Sequence, residues 1–144
     1  MKISATFRKS YPKLSSWIEI NMPKVKSKNK VWTAFVKYSE LTSPKAKQAL
    51  NKGQFPEIHF SIMPSAYGKF KGSTYPNRVY IAKSICDKFE KSDSKNAKMH
   101  MLVEATLLHE MVHWGDYKDG VDQAGEEGLK FEKAAYGKVI NGYW

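Results

Sequence analysis

The sequence predicts an α+β fold in a single domain spanning residues 1–144. Helical apolar spacing fills the first third, two alternating segments occupy the middle, and the most regular helical pattern lies near the C-terminus. A chain of 144 residues is long enough to bury one core. Apolar residues make up 42% and aromatic residues 13%, the balance of a globular chain rather than a disordered one.

The helical part comes first. Residues 11–22 place Leu14, Trp17 and Ile18 at helical spacing, with Ser10 as expected N-cap and Pro12 in the first turn. Residues 31–41 repeat the pattern through Val31, Trp32, Phe35, Val36 and Leu41. A shorter helix is expected over 43–51, capped by Ser43, with Pro44 at its first position and Gly53 as terminator. The lysine-rich stretches 24–30 and 88–98 read as surface loops.

Residues 57–63 alternate, with Ile58, Phe60 and Ile62 on one face and His59 and Ser61 on the other. A short hairpin arm is expected over 67–70, between Gly68 and Gly72, and 77–82 alternates again through Val79 and Ile81. Another short helix is expected over 83–91. A long helix then runs over 95–114, with Met101, Leu102, Ala105, Leu108 and Val112 as its apolar stripe. The segment 115–122, opening on Gly115, should break it, and Asp122 should cap a last helix over 123–138 that Gly137 and Gly142 terminate.

Lys and Arg number 24 against 14 Asp and Glu, a formal net charge of +10 that favours anionic partners at long range without specifying a fold. Most of the lysines read as solvated surface. Cys86 is the sole cysteine, which excludes an intrachain disulfide and a cysteine metal cluster; it reads as a small buried side chain. Neither a signal-peptide apolar run nor a bilayer-spanning stretch is present. If the protein leaves the cell, a standard signal peptide is not expected to take it out.

His109-Glu110-Met111-Val112-His113 is an HExxH motif within the long helix. Roughly one chain of this length in a few hundred carries that pattern by chance, so its setting decides its meaning. Leu107 and Leu108 precede it, a glycine follows at 115, and a glutamate-rich helix lies beyond. Histidines four apart share one helix face and can converge on one cation. Zinc takes two imidazoles, a third protein ligand and a water. Glu110 then reaches that water and takes its proton, while zinc lowers the water's pKa and polarises the scissile carbonyl.

Several residues compete for the third ligand position. Gly128, Phe131, Glu132, Ala135 and Val139 form the inward stripe of the last helix, and Glu132 is its one carboxylate. Glu126 and Glu127, and Asp116 and Asp119 from the loop, are alternatives. Asp119 lies six residues after His113, as in some zinc peptidases, but those have glycine where this chain has Asp116. Asp116 reads as an acceptor that orients one histidine. Tyr136 is a packing residue or a donor to a developing oxyanion. His100 should face away from the motif, and His59 reads as a surface or packing residue.

With His109-Glu110-x-x-His113-x-x-Asp116 and Gly128-x-x-Phe131-Glu132-x-x-x-Tyr136-Gly137 in view, the chain resembles bacterial metallopeptidase toxin domains, most closely metallopeptidase toxin 3. The resemblance covers mainly residues 58–137. It implies a zincin-like fold: a small twisted sheet beside the HExxH helix and a C-terminal ligand-bearing helix. It further implies zinc on His109 and His113 with a downstream glutamate, Glu110 as base, and the 77–81 segment as the edge strand that receives a peptide.

The expected function is therefore zinc-dependent hydrolysis of peptide bonds, as an antibacterial toxin or type VI secretion effector delivered into the periplasm or cytoplasm of a target cell. A protein or peptide substrate and a cognate immunity protein are the expected partners. Two alternatives stand beside it: a hydrolase of peptidoglycan stem peptides, which the net charge would suit, and a basic binding module with a structural zinc. Glu110 argues against the latter, since a structural site has no use for a base there. No nucleic-acid module signature is present, so nucleic acid is not an expected partner.

Overall fold

The computed structural model describes residues 1–119 and 126–141, with Asp119 and Glu126 described in the backbone alone. Among the described residues, seven helices accompany a four-stranded mixed sheet, as the α+β expectation requires. Two short elements that the sequence pattern does not announce open the chain, β1 (Lys2–Ile3) and α1 (Ala5–Ser10). Both are too short to show a period. Ser4 caps α1 by accepting from the Phe7 N–H.

The expected helices follow as α2 (Pro12–Asn21), α3 (Asn29–Ser39) and α4 (Ser43–Leu50). Their caps fall one residue from the expected positions: Tyr11 rather than Ser10 for α2, and Thr42 rather than Ser43 for α4. The stretch 24–30 is not a plain surface loop. A 3-10 turn over Met22–Ser27 buries Met22 and Val25, an apolar pair that the surrounding lysines mask in the sequence.

The sheet contains β2 (Glu57–Ser61), β3 (Gly68–Phe70) and β4 (Arg78–Ala82) in the order β1-β2-β4-β3. β2 runs parallel to β1 and to β4, while β3 is antiparallel to β4. This corrects the expected edge strand. The 77–81 segment forms most of β4, which is internal, and the edge on that side is β3. Val79, Tyr80, Ile81 and Ala82 are all buried, and a strand covered on both faces belongs inside a sheet. Ile62, expected within β2, lies beyond its end and is 79% exposed.

After β4, α5 (Lys83–Lys88) continues into a wider helical turn over Phe89–Asp93 that buries Phe89, so 88–98 is only partly a loop. The central element is α6 (Ala97–Asp116), whose N-cap Asn96 accepts from the N–H groups of Lys98 and Met99. From Leu102 onward α6 is buried nearly all round, as a core helix is. Met101, placed on the apolar stripe by spacing, is instead 47% exposed. Packed on α6 are β3, β4, α3 and α7 (Glu126–Tyr136).

Gly115 does not break α6. A Cβ there would stand 2.6 Å from the Ser39 carbonyl oxygen, so the glycine lets the end of α3 cross α6 at close range. The helix then runs on to Asp116. The expected cap Asp122 and terminator Gly142 lie outside the described residues.

Candidate active site

All of the motif lies on α6, and the i, i+4 relation brings the two imidazoles together. The His109 and His113 rings are 5.1 Å apart between centroids and tilted by 58°. His113, Glu110 and Asp116 are buried, while His109 and Glu110 line a small cleft of about 190 Å³. The opposite wall comes from α7 and the segment after it, through Leu129, Glu132 and Ile140.

Two glycines set the width of this cleft. A Cβ at Gly128 would fall 2.2 Å from His109 Nε2, so α7 can lie against the imidazole only because position 128 has no side chain. A Cβ at Gly68 would stand 2.9 Å from Glu110 Cγ and 2.8 Å from Thr106 Cγ2, so the start of β3 is seated directly on the glutamate. At Gly128 the helix thus approaches the histidine itself.

Glu132 occupies the inward face of α7 and is buried. Its Oε2 accepts from His109 Nδ1 at 2.5 Å, and its Oε1 accepts from the Ile140 N–H at 2.9 Å. The second bond depends on the end of α7. Gly137, at φ +78°, takes the left-handed conformation that turns the chain, and the following residues fold back over the carboxylate. Burial opposes a charge on His109, but the Glu132 hydrogen bond and the Glu110 and Glu132 charges outweigh it. The imidazole pKa therefore stands above its ordinary value.

The other candidates lie as follows. Asp116 closes α6 one turn beyond His113. Glu127 pairs loosely with Lys130 at 3.9 Å, and the side chains of Asp119 and Glu126 lie outside the described residues. Tyr136 is turned from the cleft. Its hydroxyl donates to Glu104 Oε2 at 2.8 Å, and the two line a separate groove with Lys28 and Trp17. Burial and the adjacent Glu104 push that hydroxyl's pKa far up, so it stays a donor. His100 packs against Trp17 and Phe89, and His59 pairs with Glu57 at 2.6 Å. Cys86 is buried, which pushes its thiol pKa up.

Sequence reasoning missed Thr106, Tyr67 and Gly68 at the cleft. Thr106 was within reach: it lies three residues before His109 and four before Glu110, on their face of the helix. Tyr67 and Gly68 arrive through the packing of β3 on α6, which no local pattern encodes.

The donor chemistry fits zinc: imidazole nitrogens and carboxylate oxygens are its ordinary ligands, and no thiol is present at the cleft. Among the described residues, no three His, Cys, Asp or Glu groups are already gathered round one point. Glu132 is instead engaged by His109 and Ile140.

Two imidazoles one turn apart, with carboxylates on the same helix and on its neighbour, are side chains of the kind that metal sites use. The family model for metallopeptidase toxin 3 matches residues 7–137, and the chain belongs to that family. The match begins at Phe7, so it takes in the N-terminal helices that lie outside the motif-bearing part. Neither the curated proteins nor the solved structures yield a match. Membership implies metallopeptidase activity, a metal cofactor, a protein substrate and delivery into target cells. No helix among the described residues is long and apolar enough to cross a membrane.

Proposed function

We propose that the chain is a zinc-dependent peptidase with a zincin-like fold, acting as an antibacterial effector domain, with residues 1–144 as one domain. His109, His113 and Glu132 are the proposed ligands. The observation that carries the reading is the meeting of His109, Glu110 and Glu132 at one cleft, with Glu132 in contact with His109.

When bound, zinc supplies Lewis acidity that polarises a peptide carbonyl and acidifies water. Glu110 takes the proton of the attacking water and returns it to the leaving amine. Its carboxylate is held for this by the β3 backbone at Gly68, which fills the space on the far side of its Cγ. His109 is held by the close backbone at Gly128, Glu132 would exchange its bond to His109 for the metal, and Asp116 orients the second histidine. An extended peptide adds to the outer edge of β3, which carries it past Glu110.

The test is Glu110→Gln. The variant should keep zinc and its melting temperature but lose peptide hydrolysis by at least the roughly 10²- to 10⁴-fold that general-base assistance supplies. Toxicity in bacterial cytoplasm or periplasm should vanish with it. Full toxicity of a zinc-bound, peptidase-dead variant would show that the chain acts by binding, with a structural metal.

A further inference from the structure

We infer that the groove beside the catalytic cleft is the main substrate-recognition pocket and takes a large apolar side chain of the peptide, an inference that rests on the peptidase reading above. The catalytic cleft holds only about 190 Å³, while the adjoining groove holds about 780 Å³. Sites that bury a ligand run to about 300–1,000 Å³. The groove is therefore the larger of the two spaces and falls in the range of sites that bury a ligand, so binding energy from a side chain beside the reacting bond can be gained there.

The two spaces adjoin. Ala66, Tyr67 and Asn141 line both, and the Tyr67 hydroxyl donates to the Asn141 carbonyl at 2.5 Å to form their shared wall. The groove's position follows from topology. β2 and β4 are parallel and end in register, Ser61 beside Ala82. The chain leaves β2 into the 62–67 loop and leaves β4 directly into α5, and the groove opens between them. The Ala82 N–H donates to the Tyr67 carbonyl at 2.7 Å and ties the loop to the strand end. The carboxyl ends of parallel strands are where open sheets of other proteins bind ligands.

Its lining selects the ligand class. Met63, Pro64, Ala66, Tyr67 and Ile85 give an apolar floor, and methionine adapts its shape to what it covers. Ser65, Ser84, Lys88 and Asn141 are exposed polar residues along it, beside the apolar surface that the side chain would cover. A leucine, methionine or phenylalanine side chain matches this floor, and losing its burial lowers kcat/KM by roughly 10- to 100-fold.

The experiment uses the zinc-loaded full chain on a proteome-derived peptide library, with Glu110→Gln as background, and reads cleavage sites by mass spectrometry. One position should be enriched in Leu, Met or Phe. Ser84→Trp narrows the groove without entering the catalytic cleft, so it should shift that position to smaller residues and lower kcat/KM on the best peptide roughly 10- to 100-fold. Zinc content should not change. Ser65→Trp, on the loop rather than on α5, should act alike and guards against misfolding of the first variant. N-acetylleucinamide titrated into the Glu110→Gln protein should move the NMR signals of Ser65 and Ser84. Cleavage with no enriched position, or with the same enrichment in both variants, would overturn the pocket and leave the peptidase reading intact. Absence of any Glu110-dependent cleavage would overturn the peptidase reading and the pocket's role with it.

Discussion

Two side chains of α7 reach across to α6, four residues apart, and they do different work. At one end Glu132 accepts from His109; at the other Tyr136 donates to Glu104. Both bonds use a buried carboxylate. Glu104 is also bound by Lys28 at 2.6 Å, so its charge is matched by a cation on a surface chain. Among the described residues, no lysine or arginine hydrogen-bonds or ion-pairs with Glu132; it meets an imidazole and a backbone N–H beside an open cleft. A buried carboxylate balanced by a permanent cation reads as a fastening, while one facing imidazoles at a cleft can exchange its partner for a metal.

That difference is open to test from both ends. The largest effect should follow Glu132→Ala. Zinc affinity, measured by competition with a chelating dye, should fall by more than the roughly 10- to 100-fold that loss of a merely orienting partner costs. A smaller loss would make Glu132 a positioning residue for His109. Asp119→Ala should leave zinc affinity unchanged, and a large loss there would move the third ligand to the loop.

Tyr136→Phe should act only on stability. It removes one hydrogen bond to a charged group, worth about 1.5–3 kcal/mol, and leaves Glu104 paired with Lys28. Thermal unfolding should fall by several degrees with zinc affinity unchanged. A matching loss of zinc would mean that the two ends of α7 are not separable.

The smallest effect is in pH. His109 in the metal-free protein has a raised pKa, so its stabilising contribution is full below the ordinary imidazole value of 6.5 and is lost as pH rises through the folded value. Zinc requires the neutral imidazole, so at low pH it must first displace a proton. The increase in melting temperature on adding zinc should therefore grow from about pH 5.5 to about pH 8. Zinc-linked stabilisation should gain roughly 1.4 kcal/mol for each pH step over which the imidazole is still protonated. A flat or falling increment would contradict the assignment of His109 to the metal.

The same comparison shows how much was legible in the chain. The HExxH spacing and the Gly128, Phe131, Glu132, Ala135 stripe are periodic, and the helices bury Gly128, Phe131, Glu132 and Ala135 together. What escaped the sequence were contacts set by packing. Gly115 read as a breaker because its reason, the Ser39 carbonyl, lies far away in the chain. β4 read as an edge because its inner position depends on β2 and β3 pairing with it. Tyr136 had two local readings, and only the placement of Glu104 gives its hydroxyl a partner.

The most direct test of the central claim is metal content. Purified protein, analysed by inductively coupled plasma mass spectrometry, should hold about one zinc per chain. His113→Ala should hold almost none while remaining folded by circular dichroism. Equal zinc in the two proteins would contradict the assignment of the metal to the α6 histidines.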